Sequence, residues 1–319
     1  MRCVALIYNP ASGQRSAQRT SVIAEALAVL HRAGVEAKAL KTHGPGSAGA
    51  QALEAVAQGC DTIVACGGDG TVHEILQSLV GLPVALGVVP MGTANALAAN
   101  LGLSNGFVSN PVKAVEMLLT AVPLRVPVGR IFYHNAEGVE CSRYFTVAAG
   151  VGADALFLSQ LDAGLKRQFG YLLYLVEGVR VWATHSFPLF EAAFLASDRP
   201  PRVEEVSQLL AVRIRDFGGM LRNLAPGAGL RKNTLRLVAF KTRSRLHFLR
   251  YVMGVILGSK KLFREIELLD AVSVECCAMN GSSNRVYVEA DGELLGSLPA
   301  RIEIAPQSLT LLIPPHANP

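Results

Sequence analysis

The sequence predicts two joined folds: an N-terminal α/β domain built on a doubly wound parallel sheet, and a C-terminal mostly-β domain arranged as an antiparallel β-sandwich. Three observations predict them. Apolar strand-like runs alternate with amphipathic helical stretches over the first 120 residues, the signature of βαβ units. Strand-like runs then crowd together with few helices between them. The loops after the early strands are short and rich in Gly, Asn, Ser and Thr, as at the ligand-binding edge of an open α/β sheet.

The elements follow in order. Cys3 to Tyr8 is a continuous apolar run, expected of a strand buried on both faces. Ser16 to Ala33 places Val22, Ile23, Ala26, Leu27 and Leu30 at helical spacing, and Gly34 supplies the stop. Val35 to Leu40 is a strand, Ser47 to Gln58 an Ala-rich helix, and Asp61 to Cys66 a strand. A Gly-rich turn leads into a helix from about Thr71 to Val80. Val84 to Val89 is a strand, a short helix follows Asn95, and Pro111 to Thr120 closes the series. Beyond it the predicted strands are Leu124 to Phe132, Tyr144 to Ala148, Leu189 to Leu195, Gln208 to Ile214, Leu235 to Phe240, Ala271 to Cys276, Arg285 to Glu289 and Leu309 to Ile313. Helices are predicted over Gly170 to Ala183 and Ser244 to Leu257. The boundary is placed near residue 126. Domains of 1–126 and 127–304 follow, with a tail of about 305–319 that can return to the first.

Composition narrows the function. The chain has 319 residues, enough for two domains with ample cores. It is half hydrophobic and only 17% charged, which excludes a disordered chain. A net charge of +5 is too mild for a dedicated nucleic-acid binder. No uninterrupted apolar stretch reaches ~18 residues, so no spanning helix is expected. The N-terminus lacks the pattern of a secretory signal. The six cysteines form no CxxC pair, which fits a reduced, cytoplasmic interior without zinc.

The strongest chemical signal is Cys66-Gly67-Gly68-Asp69-Gly70-Thr71, between a strand and a helix. Glycines let backbone approach a bulky anion, and the helix start offers unpaired N–H groups and partial positive charge. Together they predict a phosphate cradle. It is neither a P-loop, lacking Gly-Lys-Ser/Thr, nor a GxGxxG fingerprint. A carboxylate inside such a cradle repels phosphate, unless Asp69 meets Mg²⁺ or a substrate hydroxyl. Asn9-Pro10-Ala11-Ser12-Gly13 and Gly92-Thr93-Ala94-Asn95 end two other strands on the same predicted edge. Asp291-Gly292, between strand-like segments, reads as a type I′ hairpin turn as readily as a catalytic acid.

These motifs, with Ala149-Gly-Val-Gly-Ala-Asp154 and the late Asp291-Gly-Glu293, occur in one order. Over nearly its whole length the chain resembles lipid kinases of the diacylglycerol kinase catalytic-domain family, which includes bacterial diacylglycerol, sphingosine and ceramide kinases. Gly-Gly-Asp-Gly-Thr alone is shared with NAD kinases. The resemblance implies an ATP- and Mg²⁺-dependent transferase acting on a lipid hydroxyl, in phospholipid metabolism. It places nucleotide along Asn9, Pro10, Ser12 and Gly13, Thr42, Gly67, Gly68, Gly70, Thr71 and Glu74, and Gly92, Thr93 and Asn95. The base is Glu293 with Asp291 beside it, or Asp69 as in the sphingosine kinase branch. Asp69 and Asp291 are the candidate metal ligands. The acids suffice for a base and one or two metal contacts.

Departures carry information. Ala96-Leu97 follows Asn95 where bacterial members often have Asp-Phe. Leu230-Arg231-Lys232-Asn233-Thr234 stands where many carry an acidic segment holding a structural Mg²⁺, so that site is not transferred. Lys166, Gly170 and Tyr174 fit a family pattern, as an acyl-pocket wall or as an ordinary core helix. His43 and His73 read as structural or surface groups. Lys241 to Arg264 carries seven Lys/Arg and no acid around an apolar middle, which suits a core helix with basic ends or a contact with the inner membrane face. The partner expected is a lipid substrate, with no nucleic acid; the oligomer is open, a dimer among the options. The alternatives are an NAD kinase-like phosphorylation of a soluble hydroxyl and a non-catalytic nucleotide- or lipid-binding protein.

Overall fold

A computed structural model gives the fold; it describes residues 1–10, 19–104, 110–152, 187–196, 200–217, 224–258, 265–279 and 285–317. The chain divides into two compact units. The first holds Met1–Pro127 and Pro306–Pro319; the second holds Val128–Asp216 and Met220–Ala305.

In the first unit β1 (Cys3–Tyr8), β2 (Glu36–Lys41), β3 (Thr62–Gly67) and β4 (Ala85–Pro90) pair in parallel in the order β4-β3-β1-β2. Val4 to Ile7 and Ile63 to Cys66 are buried throughout, because helices cover both faces. The order runs one way from β1 to β2 and the other way from β2 through β3 to β4. With right-handed crossovers this puts α1 (Arg19–Arg32) on one face and α2 (Ser47–Ala57) and α3 (Asp69–Leu79) on the other. Accordingly α1 packs with α5 (Pro111–Leu119) and α2 with α3. The helix α4 (Ala96–Asn100) is one short turn after β4. Gly49 lets α2 lie tight on α3; a Cβ there would stand 2.9 Å from the Glu74 carbonyl oxygen. The chain end returns to this sheet, with Thr310 and Leu311 parallel to Ala85 and Leu86.

The second unit is antiparallel. Its strands are most of β5 (Val122–His134), then β6 (Glu140–Phe145), β7 (Ala148–Val151), β8 (Phe190–Leu195), β9 (Arg202–Val206), β10 (Gln208–Val212), β11 (Leu235–Phe240), β12 (Ile266–Ala271), β13 (Ser273–Ala278), β14 (Tyr287–Ala290) and the start of β15 (Glu293–Ile313). One path runs β12-β11-β10-β7-β14-β15. From β15 another passes through β13 and β8 to β9, and β5 joins β15 to β6. The core between them includes Ile131, Phe145, Phe190, Leu209, Val274 and Ile302, the alternate inward residues expected of packed sheets. One helix, α6 (Arg245–Ile256), is described here.

Several elements differ from the sequence reading, and β9 (Arg202–Val206) is absent from it. The single strand expected over Tyr144 to Ala148 is two, β6 and β7, parted at Thr146 and Val147, whose N–H groups leave the ladder for the Asp291 carboxylate. The strand expected over Ala271 to Cys276 is the end of β12 and most of β13. Leu309 to Ile313 is only the end of the 21-residue β15. The helix expected from about Thr71 starts at Asp69, so Asp69 and Gly70 form its first turn. The predicted helix over 170–183, with Lys166, Gly170 and Tyr174, lies outside the described residues.

Candidate functional site

In the first unit the predicted loops share one edge. Tyr8 pairs with Lys41 and with Cys66, Cys66 with Val89, and Gly67 with Pro90. The four parallel strands therefore end level, and Asn9-Pro10, Thr42, Gly68 and Gly92 leave the sheet at its carboxyl side. The sheet order reverses between β1 and β3, the place where open α/β sheets bind ligands. Thr42 is buried, and its N–H donates to the Tyr8 carbonyl at 3.0 Å. Ser12 and Gly13 lie outside the described residues.

Glycine is required here by contact. A Cβ on Gly67 would fall 2.4 Å from Thr71 Oγ1, because the buried Thr71 side chain folds back over it. A Cβ on Gly92 would fall 2.4 Å from Gly68 Cα. The two loops thus touch backbone to backbone. Asn95, in the left-handed region at φ 51°, ties its own loop. Its Oδ1 accepts the Gly92 N–H at 2.8 Å, and its Nδ2 donates to the Gly92 carbonyl at 2.9 Å. The Met91 N–H donates to the Gly67 carbonyl. Thr93 is exposed. The cradle is therefore a lip of small residues at the start of α3, where helix N–H groups lack intrahelical partners.

The acids of this edge are engaged internally. Asp69 is half-buried, and its Oδ1 accepts the Ala96 N–H at 2.8 Å. Glu74 accepts the Gly46 N–H at 2.9 Å and the Ala48 N–H at 3.2 Å. It thus caps the opening of α2 from α3, holding the segment that follows Thr42. His73 is buried in α3, and His43 is exposed.

Sequence reasoning missed Arg19. It is buried, donates from Nη2 to the Met91 carbonyl at 2.8 Å, and burial draws its pKa below the usual arginine value. The available signal was its position: residues 19, 23, 26 and 30 share the buried stripe of α1, and a charge on such a stripe needs a partner.

The second unit carries the acidic turn. Asp291 (φ 48°) and Gly292 (φ 85°) both adopt left-handed backbone and join β14 to β15, with Ala290 opposite Glu293. This is a two-residue type I′ hairpin. Asp291 is buried, and both its oxygens receive backbone donors. Oδ1 accepts from Val147 at 2.8 Å and Ala148 at 3.1 Å, and Oδ2 accepts from Thr146 at 2.9 Å. Its own N–H donates to the Ala148 carbonyl. The Ala149–Gly152 part of its motif runs along β7 beside this turn, with Ala149 opposite Ala290 and Gly150 opposite Glu289. Two motifs 140 residues apart in sequence are thus neighbours. Glu289, which the sequence reading did not single out, is buried, and its Oε2 accepts the Gly292 N–H at 3.0 Å. Glu293 is exposed and, among the described residues, its carboxylate makes no hydrogen bond or ion pair; the exposed Leu294 follows it. Ala153 and Asp154 lie outside the described residues.

The 230–234 segment is organised by an arginine. Arg213 is fully buried; Nη1 donates to the carbonyls of Lys232 (2.7 Å) and Thr234 (2.8 Å), and Nη2 to that of Leu230 (2.8 Å). Burial pulls its pKa down to about 10, and charge-assisted bonds to three carbonyls offset that desolvation.

Among the described residues no group of three or more His, Cys, Asp or Glu forms a metal cage. Mg²⁺ in phosphoryl transfer seldom has one: it is held by the nucleotide phosphates and one or two carboxylates. Asp69, a carboxylate in the first turn of α3 at the carboxyl edge of the sheet, fits that use. Asp291, with both oxygens on backbone N–H groups, fits it less well. No helix among the described residues is long and apolar enough to cross a membrane.

Comparison with known proteins bears on both units. Residues 3–131 match the family model of the diacylglycerol kinase catalytic domain. Residues 146–313 match that of the YegS C-terminal NAD kinase beta sandwich-like domain. A diacylglycerol kinase of Bacillus subtilis is 27% identical over 94% of this chain and 92% of its own length. One from Mycobacterium tuberculosis is 28% identical over 98% and 96%. A crystal structure of a diacylglycerol kinase from Bacillus anthracis shares the fold, with a TM-score of 0.70 at 20% identity over 99% of this chain and 98% of that one.

Proposed function

The chain belongs to the diacylglycerol kinase catalytic-domain family and is a lipid kinase; from that premise we propose that it moves the γ-phosphoryl group of ATP to a hydroxyl of a diacylglycerol- or sphingoid-like lipid. The observation that carries the nucleotide half of this reading is the interlocked pair of loops at Gly68 and Gly92, a bare backbone lip at the carboxyl edge of a parallel sheet. Names borne by the relatives support the lipid half.

The chain's own groups divide the work. Gly67 to Thr71 and the start of α3 receive the phosphates. Asn9, Pro10, Thr42, Thr93 and Asn95 border the nucleotide, joined by Ser12 and Gly13. Arg19 and Glu74 set the loops from behind. Asp69 is the residue that would hold Mg²⁺, which would supply neutralisation of phosphate charge. Glu293 takes the hydroxyl proton as general base; its exposed, unengaged carboxylate suits that role better than the committed oxygens of Asp291. The acceptor oxygen forms its bond to the γ-phosphorus as the bond to the β-bridging oxygen breaks, and ADP leaves. Asp291 holds the turn that presents Glu293. The enzyme works at the cytoplasmic face of a membrane, where its acceptor resides.

The test is incubation with γ-labelled ATP, Mg²⁺ and a total lipid extract, followed by identification of the labelled product. A labelled phosphomonoester of a lipid is expected. Label in a soluble nucleotide instead supports the NAD kinase-like reading, which the description of the second family model fits only weakly. Nucleotide binding without transfer to any acceptor supports a binding protein.

A further inference from the structure

We propose that the outer face of α6 is a docking surface for an anionic lipid bilayer. A helix on a protein surface normally has one apolar stripe, turned inward. This one has two. Its inner side is Phe248, Tyr251 and Val255. Phe248 and Tyr251 each lie 5.2 Å from the Phe240 ring, and the Tyr251 hydroxyl donates to the Leu224 carbonyl. That side is fully accounted for by packing.

The opposite side carries Leu246, Leu249 and Met253, continued by Leu257 just past the helix end, at 53, 39, 44 and 75% exposure. At about 100° per residue these four fall within an arc of about 80°. Large apolar side chains scattered singly over a surface are ordinary; four in line are not.

Charge selects the occupant. Arg245 and Arg250 are exposed, one on each border of the stripe, and the exposed Arg243 precedes the helix. From Lys241 to Arg264 the sequence contains no acid. Glu265 approaches His247 at 3.9 Å, off the stripe. A second copy of the chain on this face would set arginines against arginines, with no acid in the facing 241–264 segment to pair. A bilayer rich in anionic phosphate headgroups offers both what the leucines and what the guanidinium groups need. An amphipathic helix settles about 5–10 Å into the headgroup boundary, apolar side down, and each basic side chain near the surface adds to the attraction.

The proposal deepens the lipid-kinase reading and rests on it for its biological sense, but vesicle binding is measured without nucleotide, so either can fail alone. The whole chain is sedimented with vesicles of equal parts phosphatidylglycerol and phosphatidylcholine, and with phosphatidylcholine alone. Preferential binding to the anionic vesicles, weakened by salt, is expected. Leu249→Asp with Met253→Asp should lower that binding about 10- to 100-fold. Arg243→Glu with Arg250→Glu should lower it comparably and abolish the salt dependence. Both pairs are exposed, so thermal midpoints and phosphorylation of a micelle-dispersed short-chain acceptor should stay near the parent's. Failure of the parent to bind anionic vesicles, or equal binding by both folded variants, overturns the proposal. So does a parent dimer that the aspartates dissociate, which would make the stripe an interface between copies.

Discussion

The glycine edge of the first unit and the acidic turn of the second use the same two kinds of group in opposite ways. At the glycine edge the side-chain acids accept from neighbouring backbone: Asp69 through one oxygen from Ala96, Glu74 from Gly46 and Ala48. What remains on offer is backbone N–H at a helix start. At the acidic turn backbone N–H groups are consumed, three of them by Asp291, and what remains on offer is a carboxylate, Glu293. On the proposed reading, one region receives an anion and the other a proton. Conserving atoms of one kind to expose the other is how a chain with few charges creates two sites of opposite character.

Glu293→Gln is the most severe way to break this contrast. It should lower turnover by about 10²–10⁴-fold, the usual contribution of a general base, while nucleotide affinity measured by calorimetry stays close to the parent's. Full activity in that variant would transfer the proton-accepting role to Asp69. Asp291→Ala strands the buried N–H groups of Thr146, Val147 and Ala148 and places alanine at φ 48°. A loss of about 2–4 kcal/mol in urea unfolding is expected. Asp291→Asn, which keeps an acceptor oxygen and tolerates that backbone, should lose visibly less. Equal losses would deny that the carboxylate organises the turn.

Gly92→Ala sharpens the other side of the comparison. Its Cβ would press on Gly68 Cα, so a cost of about 1–3 kcal/mol and weaker nucleotide binding should appear together. Loss of stability alone would mean the lip does not contact the nucleotide.

The smallest effect concerns a charge network in the second unit that belongs to neither region. Arg202 makes paired bonds of 2.9 Å to Glu267, and Lys241 reaches Glu204 at 3.1 Å and Glu267 at 2.7 Å. The Lys241 bond first, then Arg202, holds Glu204 below the ordinary carboxylate pKa; for Glu267 the order is reversed. Folded values below unfolded ones mean the network stabilises above the unfolded value of about 4.5 and loses its effect as pH falls through the folded values. Lys241→Ala should therefore cost no more than about 1 kcal/mol at neutral pH, as these groups are partly exposed. The difference from the parent should close in acid melts; a gap that widens there would reverse the sign.

Much of the first unit was legible in the sequence because each strand is a short apolar run between breakers. The strand Cys3 to Tyr8 emerged with its observed bounds, and the other strands and helices of that sheet within about two residues, apart from the first helix, expected from Ser16 and described from Arg19. The second unit resisted for identifiable reasons. Strand β9, Arg-Val-Glu-Glu-Val, is an edge with no apolar alternation to read. Gly296, Pro299 and Pro306 break up the sequence of β15, which stays extended because partners on both sides hold it. The gap between β6 and β7 is dictated by a carboxylate 145 residues further on. The site divides similarly. Glycine loops announce themselves locally, whereas the role of Glu74 depends on N–H groups of another helix and that of Arg19 on a carbonyl 72 residues away.

The contact between Gly68 and Gly92 has a mechanical consequence. Two loops that interlock without intervening side chains cannot flap separately; displacing one drags the other. If a triphosphate binds there as proposed, it meets a single stiff rim already in shape, and little ordering entropy is lost on capture.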